Sequence, residues 1–225
     1  KDVADFLRTH YPDEALGTLT HTADSGCTSL RANPLKADVE ILCKKLLEAG
    51  AKSARPGLVP GSVLARFEGS PAEHPLFKEG YFHVEGQASQ LAALCVEARP
   101  GDTVIDLCAA PGGKTLLLAE EMQGQGQLYS CDVAEHRVKL IRTAVERMGF
   151  ANVTTLCNDA TCPNPRLPAA DRILVDAPCS GLGILAKKPD IRYKTLDKAR
   201  HDELLATQSA ILDTAVALLK AGGRL

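Results

Sequence analysis

Asp106-Leu-Cys-Ala-Ala-Pro-Gly-Gly-Lys-Thr115 is the stretch on which the reading of this chain turns. It follows a short apolar run, residues 102–107, that begins after the turn-forming Pro100-Gly101. It opens a segment of helical spacing, residues 114–122, closed by Gly124 and Gly126. A strand, a loop of small residues and a helix make a place where a ligand can approach the backbone. The first N–H groups of the helix have no partner within it. Gly113-Lys114-Thr115 matches the end of the phosphate-loop pattern G-x-x-x-x-G-K-T, but the required first glycine falls at Cys108. The dinucleotide pattern G-x-G-x-x-G fails as well. What remains is a loop fitted to a nucleoside with an uncharged-to-cationic tail. Asp132, 26 residues after Asp106, suits the ribose hydroxyls. That is the arrangement of an S-adenosylmethionine site. The plain alternative is a tight strand–helix turn with no ligand.

Outward from the loop the chain alternates. Residues 127–132 read as a strand and 135–148 as a helix, with Val138, Ile141, Val145 and Met148 on one face and Gly149 as its stop. Residues 153–157 and 172–175 read as strands. Residues 203–219 read as a long amphipathic helix ended by Gly222-Gly223. This rhythm predicts an α/β fold with a mainly parallel sheet covered on both faces. Asp106, Asp132, Asp159 and Asp176 each fall at or just past the C-terminal end of a predicted strand, the edge where open α/β sheets bind ligands. One such Asp is explained as a helix cap, worth about 1 kcal/mol. Four in register point to a shared site.

Residues 1–80 differ. A short helix over 1–10 is broken by Tyr11-Pro12. A strand over 28–33 precedes a helix over 38–49, with Val39, Leu42, Cys43, Leu46 and Leu47 at helical spacing and Gly50 as its stop. The turn-rich stretch 55–62 leads to a strand over 63–67, and a polar linker covers 68–79. Two domains are expected: a small β/α module over 1–80, and a Rossmann-like domain over 81–225.

Composition excludes other classes. Of 225 residues, 45% are hydrophobic and 24% charged, too apolar for a disordered chain. No apolar run approaches the roughly 18 residues of a membrane-spanning helix, so no membrane association is expected. The net charge of −2 excludes a globally basic binder and leaves a local basic patch open. The eight cysteines form no C-x-x-C pair, and Cys157 and Cys162 have no His pair beside them, so no metal is expected. Most of them are expected to be reduced, buried thiols of an intracellular protein. The chain begins at Lys1 and stops at Ala221-Gly-Gly-Arg-Leu225, which reads as the start of another strand. A fold lacking its C-terminal part is therefore expected.

A second motif, Asp176-Ala-Pro-Cys-Ser-Gly181, follows the fourth predicted strand of this domain. A thiol beside proline, in a loop at the ligand edge, is a candidate nucleophile or acid–base group. The loops 106–115 and 176–181 together resemble those of the Sun/RsmB-type (NOP/Sun) RNA 5-methylcytosine methyltransferases. Lys188-Pro-Asp-Ile-Arg-Tyr193 resembles that family's next motif, and Leu30-Arg-Ala-Asn33 resembles a signature of its small N-terminal module. The resemblance runs from about residue 28 to the end. Val84-Glu85-Gly86-Gln87 departs from it, because the family often has Gln-Asp or Gln-Asn near this point, leading to a Ser.

The resemblance implies an RNA-binding role for residues 1–80 and a Rossmann-like S-adenosylmethionine-dependent methyltransferase domain after them. Cys108, Ala109, Ala110, Pro111, Gly112, Gly113 and Lys114 would hold the methionine part of the cofactor. Asp132 would bind the ribose with Arg137 nearby, Asp159 would sit by the adenine, and Asp176 would lie close to the sulfonium and the target cytosine. Lys114 matches a family lysine beside the active site. In the family, a thiolate adds to cytosine C6 and makes C5 nucleophilic enough to take the methyl group. The attacking thiol lies in a Thr-Cys on the strand after the Gly-Gly turn, and the Pro-Cys thiol assists release. Cys179 matches the second role, so the attacking cysteine is expected beyond residue 225, and this stretch alone is expected to be inactive. The catalytic candidates within it are Cys179, Asp176 and Lys114.

Residues 187–200 place six basic side chains (Lys187, Lys188, Arg192, Lys194, Lys198 and Arg200) against Asp190 and Asp197, with Tyr193 able to stack a base. Lys187, Lys188, Arg192 and Tyr193 are the candidate RNA contacts; a solvated face is the plainer reading. The expected partner is ribosomal or transfer RNA, the target base being unpaired or flipped. A monomer in the cytoplasm or nucleolus is expected, with an organelle left open. The rival readings are an inactive RNA-binding or assembly module that keeps the fold, and a small-molecule methyltransferase, which leaves the first module and the basic segment without a role.

Overall fold

The computed structural model describes residues 2–14, 17, 26–185, 188–193 and 197–225. In chain order its first elements are α1 (Asp2–His10), β1 (Thr28–Ala32), α2 (Val39–Glu48), β2 (Ser53–Pro56), β3 (Ser62–Arg66), the short α3 (Pro75–Lys78), β4 (Phe82–Val84) and α4 (Gln87–Leu94). There follow β5 (Thr103–Asp106), α5 (Gly113–Glu121), β6 (Gln127–Asp132), α6 (Glu135–Met148), β7 (Val153–Cys157), β8 (Ala170–Leu174), α7 (Lys198–Leu218) and β9 (Leu219–Arg224). They group into two compact units, Gly26–Ala177 with Ala210–Leu225, and Lys1–Ser25 with Pro178–Ser209.

The larger unit contains two sheets. One is antiparallel, in the order β2-β3-β1-β4, with Leu30 opposite Val63 and Arg31 opposite His83. Helix α2 covers it through Leu42, Cys43 and Leu46, which join Leu30, Val63 and Phe82 in one core. Asp38 caps this helix by accepting from the Ile41 amide (2.8 Å), a contact worth about 1 kcal/mol.

The other sheet is parallel throughout, in the order β7-β6-β5-β8-β9. Alternation along its strands feeds two cores. Val104 and Leu128 pack with Ile141, Val145 and Met148 of α6, whereas Ile105, Cys131 and Ile173 pack with Ile211 and Ala215 of α7. The chain leaves β5 outward through β6 and β7, then returns to the other side of β5 with β8. The strand order therefore reverses between β5 and β8, and the C-terminal edge of that junction is where sheets of this kind take ligands.

In the smaller unit, Val3 of α1 is buried with Leu185 and Ile191, and Leu7 and Leu182 pack against them. Ile191 belongs to a 3-10 turn, Pro189–Tyr193.

Several sequence expectations need correction. The stretch 55–62 begins inside β2, and β4 adds a fourth strand. The expected linker 68–79 contains a 3-10 turn, Pro71–Glu73, and α3, whose Leu76 is buried. The final helix ends at Leu218, and Gly222-Gly223 lie within β9 instead of capping it. There the pairing with β8 is irregular: Leu219 faces Ala170 and Arg224 faces Arg172, and the extra residues bulge out, with Gly222 at φ +78°. The expectation of mostly buried thiols also fails. Cys43 and Cys131 are buried and Cys108 partly so, whereas Cys95, Cys157, Cys162 and Cys179 are exposed. Four of the thiols fall at helix ends, strand ends or loops, where a small apolar side chain has no core to enter. Among the described residues no helix is long and apolar enough to cross a membrane, and no three His, Cys, Asp or Glu side chains gather to hold a metal.

Candidate functional site

The loop after β5 is held by the strands beside it. The Leu107 amide donates to Leu174 O (3.0 Å) and the Ala109 amide to Cys131 O (2.8 Å). The Ala110–Pro111 peptide is cis, and Gly112 closes the turn at φ +109°, a left-handed conformation that glycine adopts without strain. A Cβ at Gly112 would also press on the backbone of Ile141, at 3.4 Å. Helix α5 begins at the next residue, so the loop presents its unpaired amides at the sheet edge.

Beneath this turn lies a cavity of 220 Å³. Cys108, Ala109, Ala110, Pro111, Gly113 and Lys114 line it, with Asp106 and Asp176 from the ends of β5 and β8. It sits at the junction where the strand order reverses. Its opposite wall comes from the end of β4 and the first turn of α4, including Glu85 and Ser89.

The acids differ in setting. Asp106 is fully buried, and burial pushes its carboxyl up to about 7, against the pull of the Thr115 hydroxyl and the Lys114 ammonium. Its Oδ2 accepts from Thr115 Oγ1 (2.8 Å), which lies 2.7 Å from Ser130 Oγ. Its Oδ1 has no partner among the described residues. Asp176 is more exposed and accepts from Lys114 Nζ at 2.7 Å. Asp132, 3% exposed, accepts from the amides of Ala110 and Ala134, both at 3.3 Å. Arg137 clamps this corner: one guanidinium nitrogen lies 3.3 Å from Asp132 Oδ1 and another donates to Ala110 O (3.1 Å). Burial, and then the nearby Asp106, Asp132 and Asp176, push the Cys108 thiol up to about 12, so it is an inert wall.

Asp159 is not among the residues that line the cavity. Asp159 stands two residues past β7, exposed, and accepts from the Thr161 amide (2.9 Å) and hydroxyl (2.7 Å), which hold its carboxyl below its ordinary range. Cys179, Lys188 and Tyr193 belong to the smaller unit; all three are exposed, Tyr193 at 83%. Gln208 of α7 donates to Pro178 O (2.9 Å) at the start of that segment. Lys187 lies outside the described residues, as does the side chain of Arg192.

Sequence reasoning assigned no role to Glu85, His83 or Ser89. The four-residue spacing of Glu85 and Ser89 across the start of α4 was the available signal. Their nearness to Gly113 comes only from the fold.

Comparison with known proteins agrees with this geometry. Residues 93–225 match the family described as 16S rRNA methyltransferase RsmB/F. The probable ribosomal RNA small subunit methyltransferases B of Synechocystis sp. and Bacillus subtilis are each 36% identical, over 87% and 88% of this chain and 44% of their own length. The solved structure of PH0851 superposes with a TM-score of 0.87 at 33% identity, covering 98% of this chain and 50% of that one. The chain thus spans about half the length of the relatives it matches. The matched region takes in the whole loop, the Lys114–Asp176 pair and the Asp132–Arg137 clamp, and on both grounds the chain belongs to the RsmB/F family of 16S rRNA methyltransferases.

Proposed function

We propose that the protein uses S-adenosylmethionine to methylate C5 of a cytosine in RNA, ribosomal or transfer, through a cysteine adduct at C6. The observation that carries the reading is the cavity at the β5–β8 junction, roofed by small residues and walled by carboxylates. Among the described residues, Glu85, Asp106 and Asp176 face it against the one ammonium of Lys114. That balance suits a ligand with a cationic end and opposes a phosphate. The orphaned Asp106 Oδ1 is an acceptor waiting for a donor. At 220 Å³ the cavity is below the roughly 300 Å³ at which drug-sized pockets begin, so it suits one end of the cofactor, the amino-acid end. The loop amides before α5 would take its carboxylate. Asp132, held by Arg137, would take the ribose hydroxyls, and the Asp159 corner would flank the adenine.

Bound there, the cofactor supplies an electrophilic methyl group. The chain's own residues provide orientation and proton handling. Lys114 and Asp176, joined at 2.7 Å, are the polar pair for the cytosine ring, the carboxylate accepting from its amino group while the ammonium fixes the carboxylate. Cys179, three residues further along the chain, takes the product-release role that the family resemblance gives it. The attacking thiol belongs to a Thr-Cys on the strand after the Gly-Gly turn. The one Thr-Cys among the 225 residues, Thr161-Cys162, follows β7 instead, so the reading assigns the attack to a residue after Leu225 in the whole protein. The exposed Lys188 and Tyr193, with the 1–80 module, are the proposed RNA contacts.

RNA carrying 5-fluorocytosine tests the reading in the whole protein. C5 of that base carries fluorine in place of the proton, and no base can remove it after methyl transfer, so a protein–RNA adduct should survive denaturation. Cys179→Ala should raise the amount of adduct formed on ordinary RNA. If fluorinated RNA is bound but never trapped, the protein is an RNA-binding module that retains the fold.

A further inference from the structure

The wall of the cavity facing α5 is a buried carboxylate with fixed geometry. The Glu85 side chain is 4% exposed. Its Oε1 accepts from Ser89 Oγ (2.8 Å), and its Oε2 lies 3.2 Å from His83 Nε2. Among the described residues each oxygen has one partner where a carboxylate oxygen accommodates two, so acceptor capacity remains on both. The two struts hold the group against the start of α5: a Cβ on Gly113 would lie 3.1 Å from Oε1.

Asp106 lines the same cavity with Oδ1 fully buried and without a partner among the described residues. Lys114, the only lysine or arginine among the described residues that line the cavity, is engaged by Asp176. Two buried carboxyl groups with spare lone pairs therefore face a space in which the described residues place one ammonium, that of Lys114, and it is bonded to Asp176. An acceptor buried without a donor costs about 1–3 kcal/mol, and a ligand that supplies donors removes that cost. The group that fits is small, positively charged and rich in N–H: a primary ammonium, with three donors on one atom.

We propose that Glu85 is a specificity-determining residue of the cofactor pocket, receiving, with Asp106, the α-ammonium of the cofactor's amino-acid end. The inference rests on the S-adenosylmethionine reading given above. The pocket then discriminates ligands by their ammonium, and not by their nucleoside alone.

Calorimetric titration of the full chain with two ligands tests this. S-adenosylhomocysteine carries the amino-acid end; 5′-methylthioadenosine has the same nucleoside and thioether without it. Glu85→Gln should weaken the first by roughly tenfold or more, the usual range for losing a charged hydrogen bond. The second should change by less than about twofold, since no ammonium is involved. Ser89→Ala keeps the charge and removes one strut, and should give a smaller loss in the same order. It serves as the test if Glu85→Gln does not fold. Equal losses for both ligands would make Glu85 a packing residue and overturn the proposal, as would no loss for either. If the unmodified protein binds neither ligand, the cofactor reading itself fails, and the proposal with it.

Discussion

Arg31 and Glu120 form a two-bond ion pair that ties the small antiparallel sheet to α5. Arg31 Nε donates to Glu120 Oε2 (2.9 Å) and Arg31 Nη2 to Oε1 (2.5 Å), with side chains 4% and 14% exposed. Arg31 also donates to Pro60 O, in the turn before β3. Two residues on, Asn33 donates to Gly80 O (2.7 Å) and to Met148 O (2.8 Å), at the end of α6. The Leu30-Arg-Ala-Asn33 segment is thus a bolt between the two sheets of the larger unit. It holds the β4–α4 wall, and with it Glu85, against the loop 106–115.

Removing one partner of such a pair strands the other charge in the interior. Arg31→Met should lower stability by about 3–5 kcal/mol, and Arg31→Met with Glu120→Leu should recover much of that loss. Arg31→Lys should recover only part, because an ammonium cannot make two parallel bonds to one carboxylate. Urea unfolding midpoints measure all three. If Arg31→Met melts with the unmodified protein, the bolt carries no weight.

Under the proposed function, Asp132→Ala should weaken S-adenosylhomocysteine by roughly ten- to a hundredfold, the range for a charged group bonding hydroxyls. Arg137→Ala should cost less, since its guanidinium is half-exposed and acts by holding Asp132 and Ala110 O. Titration calorimetry decides; full affinity in Asp132→Ala would leave the ribose without its assigned partner.

The fold was legible where periodicity and punctuation coincide. The segments read as 127–132, 135–148 and 153–157 are the observed β6, α6 and β7, each an unbroken pattern ended by Gly, Asp or Cys at a turn. It was illegible where the ladder outweighs the pattern. β2 reads Ser-Ala-Arg-Pro, polar and ending in proline, and is a strand because it lies at a sheet edge and pairs on one side with β3. Gly222-Gly223 carry the helix-stop signal, yet the chain enters β9 before them and absorbs them in a bulge. The site divides similarly. Loop 106–115, Asp132 and Asp176 are contiguous motifs at strand ends and could be read directly. Glu85 reaches Gly113, and Arg31 reaches Glu120, only through tertiary packing, and nothing local announces either.

Asp106 makes stability depend on pH. Its carboxyl is raised from 3.8 to about 7 by burial, so the folded state holds the proton more tightly than the unfolded chain. The stabilisation from that proton is complete below about pH 4 and is lost as the pH rises through about 7. Asp106→Asn keeps an oxygen for Thr115 and cannot ionise. The melting temperature of the variant minus that of the unmodified protein should therefore climb between pH 4 and pH 8. A flat difference across that window would mean that Asp106 is ionised and solvated throughout.

The thiols should separate by reactivity in the same way that they separate by environment. Alkylation needs a thiolate that the reagent can reach. Cys95, Cys157, Cys162 and Cys179 are exposed. Cys131 is buried, and desolvation pushes its thiol up to about 12; Cys108 is raised to about 12 for the same reason, with three carboxylates nearby. Cys43 is buried and raised by burial and by Glu40. Brief treatment of the native protein with iodoacetamide at pH 7.5, followed by peptide mass spectrometry, should label the four exposed cysteines and spare Cys43, Cys108 and Cys131 until urea is added. Cys108 is the informative member of the second group, because it lines the cavity and is open to a small reagent. Labelling of Cys108 as fast as Cys179 would mean that its thiolate is stabilised in place, and the loop would then hold a nucleophile instead of an inert wall.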